Sequence, residues 1–219
     1  GTRDHRIEWL LQKVNVDGLR ILELGPLEAA HTWMLEKLGG DVTAIEANIG
    51  AFLRCLIAKN YLNLNAKFLL GDFEKIDFST QKYDLVVASG VLYHLKDPID
   101  FLQRASSLAP RMFLWSHYFE PDLSKWNPSL SGLLEEGKWD YKNPIFKKIG
   151  NDNYRYVKQL YGDALGWSGF CGGTDVYSRW IFKEDLLKLL RQLGFSKIEI
   201  AFDAVERPNG PSFCIYCEK

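Results

Sequence analysis

The chain has 219 residues, of which 47% are hydrophobic and 25% charged, and this composition excludes disordered, collagen-like and coiled-coil proteins. Its 27 basic and 28 acidic residues give a formal charge of −1, which argues against a nucleic-acid partner, although a local basic patch would survive this average. No apolar run reaches the ~18 residues of a membrane span, and the first residues do not have the pattern of a secretory signal, so we expect neither in this protein. Four cysteines are too few for a disulfide framework, so we expect a cytoplasmic protein.

From Gly18 onward, short apolar runs alternate with stretches of helical periodicity. The apolar runs predict strands at residues 20–24, 42–46, 67–71, 83–88, 111–116, 196–202 and 212–217. Helical spacing predicts one helix before the first strand and helices over residues 31–38, 49–57, 97–105 and 186–193. Such alternation builds a parallel sheet with helices on both faces, and the Pro208–Pro211 turn makes the last two strands antiparallel.

Residues 118–180 interrupt this alternation and hold 13 of the 30 aromatic residues of the chain. Tryptophan and tyrosine bury large areas, so one interpretation is that this segment only seals an edge of the sheet. A long segment inside a compact domain is more often functional, which favours a lid over a substrate. We therefore expect a single domain, residues 1–219, with residues 118–180 inserted as a substrate lid.

Ligands of an open parallel sheet bind beyond the carboxyl ends of its strands, so the residues that follow each strand are the candidates. Glu46 follows the second strand, 21 residues after Gly25, and this spacing is typical of an acid that holds the hydroxyls of a ribose. Its alternative role is to cap the following helix, whose N-terminus favours an acid. Asp72 follows the third strand, where it would accept the exocyclic amine of adenine while Phe73 packs on the ring.

The sequence of the turn after the first strand discriminates between two nucleotide-like cofactors. A dinucleotide-binding turn, G-x-G-x-x-G, needs glycine at positions 27 and 30, where this chain has Leu27 and Ala30, and Glu28 would repel a pyrophosphate. S-adenosylmethionine has no phosphate and carries a sulfonium cation, so it suits a turn that bears an acid. The turn therefore favours S-adenosylmethionine over the nicotinamide cofactor of a dehydrogenase.

The segments ILELGPLEAAHT, AIEAN, GDF and YDLVVASGVLYHLKDP resemble, in this order, the motifs of class I S-adenosylmethionine-dependent methyltransferases. The resemblance covers residues 18–117 by sequence and residues 181–219 by architecture. It implies an α/β, Rossmann-like fold with a seven-stranded, mostly parallel sheet, an antiparallel last strand and helices on both faces. It also implies that the cofactor contacts Glu23, Gly25, Pro26, Glu46, Ala47, Asp72, Phe73, Ser89 and Gly90. Later glycines of the family's loop are Ala29 and Ala30 here, which leaves a catalytically retired binding module as an alternative.

The string GVLYH, which ends at His94, also resembles the tRNA-wobble carboxymethyl transferases, which use a carboxylated form of the same cofactor. In that family a tyrosine matching Tyr93 helps to hold the extra carboxylate. His94 after the fourth strand and His117 after the fifth are candidate acid–base residues, because a neutral imidazole can take a proton from a substrate.

The main hypothesis is methyl transfer from S-adenosylmethionine to an oxygen or nitrogen of a small-molecule acceptor. The catalytic candidates are His117, His94 and Tyr93. The alternative is carboxymethyl or methyl transfer to tRNA.

Overall fold

The computed structural model describes residues 3–75, 82–122, 139–172 and 175–219. Within these residues the strands are β1 (Arg20–Leu24), β2 (Asp41–Glu46), β3 (Lys67–Leu70), β4 (Leu85–Ser89), β5 (Arg111–His117), β6 (Ile145–Ile149), β7 (Asp152–Leu160), β8 (Tyr177–Ile181), β9 (Lys197–Ala204) and β10 (Ser212–Glu218). The α-helices are α1 (His5–Lys13), α2 (Ala30–Glu36), α3 (Ile49–Leu62), α4 (Pro98–Leu108) and α5 (Lys183–Gln192). No helix in the described part of the chain is long and apolar enough to cross a membrane.

The main sheet contains seven strands in the order β3-β2-β1-β4-β5-β10-β9. The first five strands pair in parallel, and β10 runs antiparallel to both of its neighbours. Strands β1 and β4 are almost continuously buried because helices cover both of their faces. The predicted fold class, a Rossmann-like sheet with an antiparallel last strand, is confirmed.

The apolar residues that predicted helix α3 are not the ones that it buries. Ile49, Leu53 and Ile57 are 64%, 53% and 69% exposed, whereas Ala51 and Cys55 are fully buried. Cys55 packs in a small cluster with Ala29, which lies in the loop after β1. The compact side chains on this face let α3 approach that loop closely, and this brings the start of α3 beside the carboxyl ends of β1 and β2.

A second sheet, in the order β6-β7-β8, lies inside the long insertion and was not predicted. Tyr154 and Tyr156 of β7 are buried in the main core, while Val157 packs on the opposite face with Trp180. The sequence did carry a signal for the hairpin of β6 and β7. Alternating strand residues flank a turn at Gly150, whose φ is 59°. Residues 123–138 and 173–174 of the expected lid lie outside the described residues.

Candidate active site

A cavity of about 470 Å³ opens beyond the carboxyl ends of β1, β2 and β4, where the sequence predicts a ligand site. Most of the predicted site residues lie in its wall: Gly25, Pro26, Glu46, Ala47, Asp72, Phe73, Ser89, Gly90, Tyr93 and His94. The structure brings them together because the parallel strands deliver their C-terminal turns to the same edge of the sheet. Two predicted residues, Glu23 and His117, do not line the cavity.

Two glycines shape the floor of the cavity. Gly25 has a φ of 66°, and an added Cβ would lie 3.0 Å from a methyl group of Val91. Gly90 has a φ of 83°, and its Cβ would lie 3.4 Å from the Trp115 ring. Both positions combine a left-handed backbone with a close neighbour, so a ligand can approach the main chain there.

The loop between β1 and α2 holds non-glycine residues in a left-handed conformation. Leu27 has a φ of 56° and Ala29 a φ of 61°. For an L-residue this conformation costs roughly 1–2 kcal/mol. Leu27 is 42% exposed and lies in the cavity wall, so its own burial does not compensate for much of this strain. The loop therefore keeps the shape of a glycine-rich turn without the glycines.

Glu46 is buried at the end of β2, and two backbone amides fix its carboxylate. The amide of Leu27 donates to Oε2 at 3.1 Å, and the amide of Asn48 donates to Oε1 at 2.8 Å. Asn48 in turn caps α3 by accepting a hydrogen bond from the amide of Ala51. Glu46 thus helps to hold the start of α3, in agreement with its alternative role as a cap. Its oxygens keep further lone pairs that can accept hydrogen bonds from ligand hydroxyls.

The far wall carries polar groups suited to a nucleoside. Asp72 pairs with Lys75 at 2.9 Å beside Phe73, while Glu74 accepts hydrogen bonds from the amides of the chain before α4. Burial raises the pKa of Glu74. The hydroxyl of Ser89 is buried and has no hydrogen-bond partner among the described residues. An unsatisfied buried hydroxyl in a cavity wall is a ready donor for a ligand.

Glu23 lies behind the cavity wall, in contrast to its expected contact with the cofactor. The hydroxyl of Thr32 on α2 donates to its Oε2 at 2.5 Å, and the residue is 1% exposed. Burial raises the pKa of this carboxyl. Its place in the strand explains this position, because it precedes the turn at Gly25 and points to the α2 side of the sheet.

The N-terminal segment adds cavity residues that the sequence did not indicate. Asp4, Arg6 and His31 all lie in the wall. Asp4 accepts from the Arg6 guanidinium and lies 2.9 Å from the His31 ring. Burial alone would raise the pKa of Asp4, but the hydrogen bonds from Arg6 and His31 outweigh it and hold that pKa well below its usual range. The guanidinium also lies 4.5 Å from the centre of the Trp115 ring.

Acidic side chains outnumber basic ones around the cavity. Its carboxylates are those of Asp4, Glu28, Glu46, Asp72 and Glu74. Among the described residues of the wall, Arg6 is the only lysine or arginine, and Asp4 already neutralises it. Cations outside the wall pair with two of these carboxylates, Arg54 with Glu28 and Lys75 with Asp72, so the negative charge of the wall is smaller than this count. The wall still suits a ligand with a positive charge.

Aromatic and imidazole rings form the side of the cavity nearest the second sheet. The rings of Tyr93 and His94 lie 4.1 Å apart, and Nδ1 of His94 lies 2.9 Å from the Tyr161 hydroxyl. Burial lowers the pKa of His94 to about 4, with a smaller contribution from His117. Burial raises the pKa of Tyr93. Both side chains are therefore neutral near pH 7.

His117 is buried behind this side of the cavity. Its ring stacks on Trp180 with 5.0 Å between ring centres, and it meets the ring of Tyr93, which lines the cavity, nearly at a right angle with 4.6 Å between ring centres. Its Nδ1 lies 3.0 and 3.1 Å from the carbonyls of Gly210 and Pro211, so this nitrogen carries the proton. Burial lowers its pKa, and the two carbonyls offset that effect only in part. Its predicted role as a base stays a prediction.

Residues 22–109 match a family model described as a methyltransferase domain. The tRNA U34 carboxymethyltransferases of Ectopseudomonas mendocina and Azotobacter vinelandii are 34% and 33% identical to this chain over 103 residues. Each alignment covers 44% of this chain and 32% of the relative, so the match spans about a third of the length of these relatives.

Two solved structures share the fold over almost the whole chain. The N-terminal domain of EvdMO1, solved with S-adenosylhomocysteine (SAH) bound, has a TM-score of 0.72 and 21% identity, and the match covers 98% of this chain and 79% of that chain. Magnesium protoporphyrin IX methyltransferase from Synechocystis PCC 6803, also with bound SAH, has a TM-score of 0.63 and 17% identity, with 99% and 81% coverage.

These matches agree with the class that the sequence predicted. Residues 22–109 resemble a methyltransferase domain, and the solved structures share the fold that β5, β9 and β10 complete. The expectation that nucleic acid is not a partner finds no support, because the curated relatives are named for tRNA.

Proposed function

We propose that this protein binds S-adenosylmethionine in the cavity and transfers its methyl group to an oxygen or nitrogen of a small-molecule acceptor. When bound, this cofactor supplies an electrophilic methyl group on a sulfonium cation. The observation that carries the proposal is the cavity at the carboxyl ends of β1, β2 and β4, whose wall comes mostly from the residues of the matched domain.

The residues of the wall fit this cofactor. Glu46 is fixed by two amides, so its remaining lone pairs would hold the ribose hydroxyls without a reorganisation of the side chain. Asp72 and Phe73 would hold the adenine by its amine and its face, and the unpartnered Ser89 hydroxyl would find a partner in the ligand. Arg6 would pair with the carboxylate of the methionine part.

The charge of the wall favours methyl over carboxymethyl transfer. A carboxylated cofactor brings a second carboxylate into a wall whose single described lysine or arginine, Arg6, is shared with Asp4. An anion without a cationic partner loses much of its hydration on entering the cavity, which weakens its binding.

The acceptor side of the site is formed by Tyr93, His94 and the segment 161–172 of the insertion, whose Cys171 and Gly172 line the cavity. This contact supports a role of the insertion in enclosing the acceptor. Since His117 lies behind Tyr93, we infer that catalysis depends on alignment of the acceptor and exclusion of water rather than on proton removal by His117.

Calorimetric titration with SAH, S-adenosylmethionine and carboxy-S-adenosylmethionine tests the proposal. We expect the first two to bind and the carboxylated form to bind at least tenfold more weakly. Arg6→Leu should weaken the binding of S-adenosylmethionine, whereas Arg3→Leu should not, because the Arg3 side chain is 88% exposed and outside the wall. Tighter binding of the carboxylated form would reject methyl transfer, and the absence of any binding would favour a retired module.

The second candidate is carboxymethyl or methyl transfer to tRNA. It is favoured by the curated relatives and by the GVLYH string. A filter-binding assay with bulk tRNA at 50 and 200 mM salt tests it, because phosphate contacts make affinity fall steeply with salt. Salt-sensitive binding, together with a preference for the carboxylated cofactor, would establish this candidate over the first.

A further inference from the structure

The segment 161–172 meets the cavity wall at one face of His94. The Tyr161 hydroxyl lies 2.9 Å from Nδ1, and the ring of Phe170 packs on Tyr161 with 4.9 Å between ring centres. At Gly172 an added Cβ would lie 3.2 Å from the same nitrogen. The Nδ1 side of the imidazole is therefore covered by this segment, while Nε2 has no partner among the described residues.

One arrangement of the proton between the Tyr161 hydroxyl and Nδ1 of His94 is favoured over the other. Phenol is a stronger acid than neutral imidazole, and imidazole nitrogen is a stronger base than phenol oxygen, so the hydroxyl proton points to the nitrogen. The carbonyl of His94 is 3.5 Å from the same hydroxyl, beyond the usual range of an O–H···O hydrogen bond. We propose that Tyr161 is a positioning residue, which donates its hydroxyl to Nδ1 of His94 and fixes the tautomer that carries its proton on Nε2.

This tautomer decides what His94 can do in the cavity. A neutral imidazole with its proton on Nε2 offers a hydrogen-bond donor and has no lone pair there for a substrate proton. Because burial lowers the pKa of His94 to about 4, the neutral form persists at physiological pH. His94 would then orient the acceptor by donating a hydrogen bond from Nε2 to a lone pair of an acceptor oxygen or nitrogen. This last step rests on the proposed function. It implies an acceptor that carries an oxygen or nitrogen atom with a lone pair beside the atom that is methylated.

Nitrogen NMR of histidine in the full chain tests the tautomer without any substrate. With 15N-labelled histidine at pH 7, correlations between ring protons and nitrogens report which nitrogen is protonated, and His94→Gln assigns the His94 signals. We expect the pattern of an Nε2-protonated ring in the wild type and a shift toward mixed tautomers in Tyr161→Phe. An Nδ1-protonated ring in the wild type, or an unchanged pattern in Tyr161→Phe, would overturn the proposal.

SAH titration separates this proposal from the cofactor assignment. Tyr161→Phe should keep its SAH affinity within twofold and its melting temperature close to that of Tyr61→Phe, a control at an 83% exposed site on α3. If the wild type does not bind SAH, the proposed function fails while the tautomer result stands. With an acceptor in hand, Tyr161→Phe should lower kcat/KM about tenfold, which is the loss of one hydrogen bond of ~1.4 kcal/mol. An unchanged kcat/KM would refute the positioning role.

Discussion

The half-buried His94 should make the protein less stable in acid, and the shift of its pKa sets the size of this effect. Burial lowers its pKa from 6.5 to about 4. The unfolded chain therefore binds this proton first as the pH falls, so the stability present above pH 6.5 is lost progressively toward pH 4. Between pH 7 and pH 4.5 the two pKa values give a loss of about 2.5 kcal/mol in the free energy of unfolding from this residue alone.

Urea unfolding followed by tryptophan fluorescence at both pH values measures this loss. His94→Gln cannot take up the proton, so its stability should fall by about 2.5 kcal/mol less than that of the wild type. Any stability that the substitution itself costs is common to both pH values and cancels in the comparison. His5→Gln is the matched control, because the His5 side chain is 98% exposed and is solvated in both states. Equal losses in the wild type and His94→Gln would show that His94 is not buried as described.

Four other substitutions probe the cofactor side of the cavity and the loop after β1. Glu46→Gln should weaken SAH binding by about 1–3 kcal/mol in calorimetry, and Asp72→Asn should weaken it less, because water can replace a single adenine contact; the reverse ranking would contradict the ribose assignment. Leu27→Gly should raise the free energy of unfolding by up to about 1 kcal/mol in urea, whereas Leu38→Gly, at an exposed site without a positive φ, should lower it. A loss at both sites would argue against strain at Leu27. Gly25→Ala should lower stability by roughly 1–3 kcal/mol, since its φ is 66° and a valine methyl lies 3.0 Å from the new Cβ; an unchanged melting temperature would refute that.

The sheet was predictable because the local sequence of each strand reflects its burial. Strands such as β1 and β4 are short, mostly apolar runs whose neighbours on both faces are helices, so residues on both faces carry the signal. Helix α3 was predictable as a helix but not in its orientation. Which face it buries depends on contacts with residues that are distant in sequence, such as the contact of Cys55 with Ala29.

The site was predictable where the fold alone positions a residue. Gly25, Glu46 and Ser89 follow parallel strands, so the topology places them in the wall. Arg6 could not be found in this way, because its place depends on a helix that precedes the first strand and carries no cofactor motif. His117 also follows a strand, but the packing of Trp180 against its ring keeps it from the cavity, and composition does not reveal such packing.

The insertion shows why composition alone left two interpretations open. Its aromatic residues divide between the two roles that the sequence suggested. Tyr154 and Tyr156 seal the main core, whereas Tyr161 meets the cavity wall through His94. A run of aromatic residues predicts large buried area, but the partner of each ring is chosen by tertiary contacts.

The place of β10 constrains how the chain can fold during synthesis. This strand is almost wholly buried and lies between β5 and β9, so the edge of β5 stays open until β10 has left the ribosome. The second sheet and α5 emerge before β10 and belong to other parts of the fold. A nascent chain of this protein therefore exposes an unpaired strand edge while about a hundred residues between β5 and β10 are made, and this is the stage at which chaperone binding or misassembly competes with folding.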